Sequence, residues 1–183
     1  ADGPVKGPIT IGKLKSGELS AFFGDQTGRV YSISAVDGSL RWKKIGDAHP
    51  AARVTGGVQL HAGKVFVPMA SLEEASAMDP NYKCCVFRGS VVVYDIENGS
   101  LVWKQHTIRQ EPNIPSKDSH GKAMVGPSGA SAWSAVTIDV KRNRLYVGTG
   151  DNYSNPTTDT SDSILALNLD TGDIEWHYQG LAA

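Results

Sequence analysis

Ser32-Ile-Ser-Ala-Val-Asp-Gly38-Ser-Leu-Arg-Trp42, Val93-Tyr-Asp-Ile-Glu-Asn-Gly99-Ser-Leu-Val-Trp103 and Ala166-Leu-Asn-Leu-Asp-Thr-Gly172-Asp-Ile-Glu-Trp176 are copies of one eleven-residue pattern. In every copy Gly precedes Trp by four residues. Each Gly follows Asp37, Asn98 or Thr171 and separates two runs of alternating apolar residues, where a hairpin needs a residue that tolerates positive φ. The pattern therefore reads as strand, tight turn, strand. Working outward, Leu19 to Gly24, Lys64 to Met69 and Arg144 to Thr149 are further β-branched or aromatic runs that end in turn chemistry. The third unit is the best defined: Ser134 to Asp139, a turn at Lys141 to Arg144, then Leu145 to Gly148, Ile164 to Leu169 and Ile174 to Tyr178. Four strands per unit result, and no ten-residue segment has helical periodicity.

Repeated four-stranded units predict an all-β chain forming an incomplete β-propeller of about three antiparallel blades. The expected division is a blade over 1–48, a blade with an insertion over 49–108, and a loop and blade with an insertion over 109–183. The Trp-to-Trp spacings exceed the roughly 40 to 50 residues of a minimal blade, which places insertions at Ser71 to Phe87, Arg109 to Gly129 and Asp151 to Ser163. A β-sandwich also yields short, regularly spaced strands, but it gives no reason for Trp in register. A closed propeller has about four to eight blades, so the chain is expected to be a piece of a longer protein or to complete a ring by association. Open blade edges favour self-association.

Composition narrows the function. The 183 residues carry 18 Lys and Arg against 19 Asp and Glu, a formal net charge of -1, and the cations are scattered, so no nucleic-acid footprint is present. No apolar run reaches the roughly 18 residues of a membrane helix, and no signal peptide is visible. The only cysteines, Cys84 and Cys85, are adjacent. Zinc is disfavoured because two-cysteine sites use a spacer and no second pair is near. A vicinal disulfide or a buried pair of free thiols remains. The stretch from Asp151 to Asp162 is rich in oxygen donors without the spacing of an EF-hand and reads as a solvated loop. Gly126-Pro-Ser-Gly129 is not a nucleophile elbow.

The eleven-residue pattern resembles the tryptophan-docking motif of the pyrroloquinoline quinone (PQQ)-dependent quinoprotein alcohol dehydrogenases. The third copy fits fully, whereas the first has Ser32 and Ser34 where Ala and Asp are usual. In that family each docking Trp packs between blades and bonds to the next one, which implies structural roles for Trp42, Trp103 and Trp176. Trp133-Ser-Ala-Val-Thr-Ile-Asp139, followed by Leu145-Tyr-Val-Gly-Thr-Gly-Asp151, resembles the stretch that supplies the aromatic floor under PQQ and a calcium ligand. The resemblance implies Trp133 beneath the quinone and Asp151 or Asn152 as ligand, Asp151 standing where the family has Asn. Thr55-Gly56 and Met69-Ala-Ser71 resemble segments that hydrogen-bond the carboxylates of PQQ, which assigns that task to Thr55 and Ser71. Cys84-Cys85-Val-Phe-Arg88-Gly89 resembles a segment that sets a vicinal disulfide against the other quinone face and an Arg at a quinone oxygen, implying those roles for Cys84, Cys85 and Arg88. By blade position Cys84 also stands where methanol dehydrogenase-like members place a calcium-binding Glu. Cys-Cys-x-Phe-Arg-Gly-Ser and Gly-Asp-Asn-Tyr-Ser are similar to the polyvinyl-alcohol dehydrogenase branch.

The resemblance implies alcohol oxidation by hydride transfer to PQQ, with calcium polarising a quinone carbonyl, an Asp taking the alcohol proton and a cytochrome c accepting the electrons. The family's base Asp lies a blade beyond Asp151, so no catalytic residue is assigned within this chain and the chain alone is expected to be inactive. A periplasmic or secreted location is implied. The alternative function is a non-catalytic propeller scaffold that binds protein partners, like the related outer-membrane assembly lipoproteins.

Overall fold

The first blade is β1 (Thr10–Lys13), β2 (Leu19–Gly24), β3 (Arg29–Ser34) and β4 (Leu40–Ile45), hydrogen-bonded in that order and antiparallel throughout. The structure is a computed structural model that describes residues 1–182. The second blade contains β5 (Ala52–Arg53), β6 (Gln59–His61) and β7 (Lys64–Ser71), then, after the short α1 (Glu73–Ser76), β8 (Ser90–Asp95) and β9 (Leu101–His106). A hairpin of β10 (Ile114–Lys117) and β11 (Ala123–Gly126) comes next, and then β12 (Ser128–Gly129). The third blade has β13 (Thr137–Asp139), β14 (Arg144–Gly148), β16 (Ser163–Asn168) and β17 (Ile174–Gln179), while β15 (Asn152–Ser154) leaves it to pair with β12. The chain is thus an all-β partial propeller of three blades.

The repeat folds alike in all three copies. Gly38, Gly99 and Gly172 have φ of 74°, 67° and 81°. Their N–H groups donate to the carbonyls of Ser34, Asp95 and Asn168 at 2.9–3.0 Å. The side chains of those same three residues accept from the amides two and three positions on: Val36 and Asp37, Glu97 and Asn98, Asp170 and Thr171. Ser34 therefore does in the degenerate copy what Asp95 and Asn168 do in the others, because a hydroxyl oxygen also serves as acceptor for a turn.

The same glycines make the joint between blades. A Cβ on Gly99 would lie 2.8 Å from the Trp42 ring, and one on Gly172 would lie 2.6 Å from the Trp103 ring. Trp42 also donates from Nε1 to the Ile96 carbonyl at 3.1 Å, across the gap into the second blade. Each indole is housed by the turn of the following blade. Trp42 and Trp103 are only 6% and 9% exposed, whereas Trp176 in the last blade is 40% exposed.

The middle blade is apolar on both faces, which is why β7 and β8 read as continuous hydrophobic runs. Val65, Val67, Met69, Val92 and Tyr94 face the first blade in one core. Phe66, Val91 and Val93 face the third blade in the other, with Leu145, Val147, Leu165 and Leu167. Alternation of side chains across a pleated strand explains this division.

Two local readings change. The long β7 is paired at one end by β6 and at the other by β5, so a fifth short strand joins the expected four. The third blade starts at Thr137, not near Ser134, because the backbone at Ser134 and Ala135 is pressed against Gly56; a Cβ there would come 2.6 Å from the Ser134 carbonyl oxygen.

Candidate functional site

The residues 125–133 form a spine to which every predicted site residue is attached. At its start, the Cys85 N–H donates to the Val125 carbonyl at 3.1 Å and the Val125 N–H donates to the Cys84 carbonyl at 2.9 Å. The two sulfurs are joined as a vicinal disulfide, and Cys84 and Cys85 are 1% and 0% exposed. Further along, the Gly129 N–H donates to the Phe87 carbonyl and the Gly89 N–H to the Gly129 carbonyl, both at 2.8 Å, so Arg88 lies in parallel register with Gly129. Asn152 pairs with Gly129, and the Asp151 carbonyl accepts from the Ala130 N–H at 2.8 Å. The Ser131 hydroxyl accepts from the Ser71 N–H at 3.3 Å and meets the Tyr153 hydroxyl at 2.7 Å. At the end of the spine, Thr55 donates from its hydroxyl to the Trp133 carbonyl at 2.8 Å.

Small residues allow this convergence. Residues 126–132 are all buried, and a Cβ on Gly89 would strike the Ala130 carbonyl, as one on Gly129 would strike that of Asp151. Thr107, itself buried, shares its one hydroxyl proton between the Gly89 and Ala130 carbonyls, at 2.9 and 2.8 Å. Trp133 differs from the spine before it. It is half-buried and belongs to neither apolar core, and Gly150 lies so close that a Cβ there would be 2.7 Å from the indole Nε1.

Other polar groups are engaged within the protein. The Ser71 hydroxyl accepts from the Glu73 N–H at 3.3 Å, and Ser71 is fully buried. Arg88 donates from Nη1 to the carbonyls of Ile108, Arg109 and Gln110 at 3.2 Å each and from Nη2 to Glu111 at 2.7 Å. Asn152 accepts at Oδ1 from the Thr158 amide and hydroxyl and donates from Nδ2 to Ser161 at 2.7 Å. These bonds, with the β12–β15 pairing, order part of the segment expected to be a solvated loop, and Ser161 is fully buried.

Sequence reasoning missed Glu73. Its carboxylate is wholly buried and accepts from the amides of Val86 (2.9 and 3.0 Å) and Phe87 (2.7 Å) and from the Tyr82 hydroxyl (2.9 Å), with His49 Nε2 at 3.3 Å. Burial opposes its ionisation, but the His49 hydrogen bond and the Phe87 and Val86 amides outweigh it and hold the carboxyl below the usual glutamate range. Burial and the Glu73 charge push the Tyr82 phenol up to about 12, so it remains a donor. A lone acid within an insertion carries no periodic signal.

A partly buried flat aromatic, edged by glycine backbone, fits a planar aromatic cofactor. The oxygen donors fit a cation less well. Asp151 is exposed, the Asn152 amide oxygen is already occupied by Thr158, and Glu74 Oε2 is buried without a partner. These fall short of the six to eight oxygens calcium takes, and among the described residues no group of three or more His, Cys, Asp or Glu side chains converges.

The sequence family described as PQQ, glucose/ethanol/alcohol dehydrogenase, β-propeller domain, matches residues 26–182. The chain belongs to this quinoprotein alcohol dehydrogenase family. It is 37% identical to the polyvinylalcohol dehydrogenase of Sphingopyxis sp. (strain 113P3) over 100% of the chain and 28% of that protein. It is 38% identical to the polyvinylalcohol dehydrogenase of a Pseudomonas species over 87% of the chain and 25% of that protein. The solved quinohemoprotein alcohol dehydrogenase ADHIIG of Pseudomonas putida HK5 superposes with a TM-score of 0.67 at 26% identity, covering 87% of the chain and 25% of the enzyme. BamB from Moraxella catarrhalis, at 17% identity and a TM-score of 0.53 over 98% of the chain and 38% of its own, shares the fold alone. The quinoprotein chain thus spans about a quarter of the length of the curated relatives it matches. Among the described residues no helix is long and apolar enough to cross a membrane.

Proposed function

We propose that this chain supplies part of the quinone site of a PQQ-dependent alcohol dehydrogenase, with Trp133 as the platform on which the cofactor lies. The observation that carries this reading is the placement of Trp133: half-buried, outside both cores, and tied through the 125–133 spine to the disulfide-bearing segment. PQQ, when bound, supplies the hydride acceptor for alcohol oxidation. This chain's part is to hold and orient it. Thr55 fixes the Trp133 backbone, Ser71 and Ser131 brace the spine, and Cys84–Cys85, registered on Val125, forms the wall beside it. Arg88 fastens the loop at 108–111 against that wall, its charge paired with Glu111 there. Asp151 and Asn152 are one corner at which calcium would need further oxygen ligands, so no chemical step is assigned to a metal here. A cytochrome c as electron acceptor and a periplasmic location, where a disulfide persists, complete the proposal.

Titration with PQQ is expected to quench Trp fluorescence in the chain, and Trp133→Ala is expected to abolish most of that quenching. Quenching that survives Trp133→Ala, or none at millimolar PQQ, would overturn the reading and favour a protein-binding scaffold. The base Asp of the family lies a blade beyond Asp151, so the 183-residue chain supplied with PQQ and calcium is expected to oxidise no alcohol in a dye-reduction assay. Measurable turnover would place the base within this chain and refute that assignment.

A further inference from the structure

We propose that Glu73 is a positioning residue: its buried carboxylate clamps the disulfide-bearing segment to the 125–133 spine, and so fixes the wall of the quinone site. The clamp deepens the function proposed above and rests on it for its purpose. Glu73 reaches the segment immediately after Cys85, taking the Val86 amide with both oxygens and the Phe87 amide with one. The same segment is held from its other side by Val125, which exchanges two backbone bonds with Cys84 and Cys85. One carboxylate and one strand therefore grip a few consecutive residues.

The arrangement is specific. Glu73 is fully buried, and its oxygens also receive Tyr82 and His49, so every partner is a donor. Its own amide is held by the Ser71 hydroxyl. Ser71 in turn donates its N–H to Ser131 on the spine. A closed path runs from spine to Ser71, to Glu73, to Phe87, and back through the Gly129 bond to Phe87. Hydrogen bonds to a buried charge are stronger than neutral ones, and removing the acceptor strands its donors.

Amide hydrogen exchange and disulfide reduction test the clamp without any cofactor. In the chain, the Val86 and Phe87 amides are expected to exchange at least tenfold more slowly than the amides of the exposed loop residues Lys6 and Ser16 do. Glu73→Gln, which keeps reach but loses charge, and Glu73→Asp, which keeps charge but loses reach, are each expected to remove that protection while Val91 to Val93 stay protected. Both are also expected to speed reduction of Cys84–Cys85 by a phosphine at least tenfold, because the buried sulfurs become accessible. Unprotected Val86 and Phe87 in the unmodified chain, or wild-type reduction rates in both variants, would overturn the proposal; the first measurement needs no variant to fold. PQQ titration of the same proteins separates the two readings. Selective loosening in a chain that never binds PQQ leaves the clamp and removes the quinone. Unchanged PQQ affinity in a loosened variant removes the positioning role.

Discussion

Gly89→Ala is expected to cost at least about 3 kcal/mol of stability, a loss on the scale of overpacking against an unyielding backbone. The new Cβ would run into the Ala130 carbonyl and come 2.8 Å from the Thr107 hydroxyl. Neither neighbour can swing aside. The Ala130 carbonyl belongs to the spine and accepts from Thr107, and the Gly89 amide and carbonyl are bonded to Gly129 and Thr107. Relief therefore requires β8 to part from the spine, with the loss of several buried hydrogen bonds. Urea unfolding followed by far-ultraviolet circular dichroism measures the change. A loss below about 1 kcal/mol, the size of a tolerated surface change, would mean that the spine and β8 are not in close contact.

The second large effect compares equivalent positions in the repeat. Gly38 and Gly172 have the same turn conformation, with φ of 74° and 81°. Gly38 has nothing within 4 Å of a built Cβ, whereas Gly172 would place one 2.6 Å from the Trp103 ring. Gly38→Ala is expected to cost about 1 kcal/mol for the left-handed conformation alone. Gly172→Ala adds displacement of a buried indole and is expected to cost about 3 kcal/mol or more. Equal losses in the two variants, measured by the same unfolding curves, would show that the indole joint contributes little to stability.

These pairs explain what could be read from residue order. Blade identity was legible because one glycine serves two physical demands, positive φ and a seat for an indole, so the pattern survives even where Ser34 replaces an acid. The strands of the middle blade were legible through unbroken apolar runs. The site was legible where its residue types are unusual: adjacent cysteines, and an indole outside the repeat. What binds them together was not. Ser131, Tyr153 and Thr107 act through single hydroxyls between segments remote in sequence. Glu73 depends on the ends of two amides thirteen and fourteen residues away. Such contacts leave no period, and they redirect groups such as Arg88 and Asn152 towards neighbouring loops.

The joint between blades repeats one steric plan. Trp42 meets Gly99 as Trp103 meets Gly172, a ring face against main-chain space, and the joints differ in their polar contact: Trp42 Nε1 reaches the Ile96 carbonyl, whereas Trp103 Nε1 is buried without a partner. Such a dovetail has direction and little address: it dictates that tenon follows mortise, and one indole bond is what tells the first seat from the second. The correct succession of modules must then be enforced by the peptide connections and by the singular insertions, which occur once each and interlock only with their own counterparts.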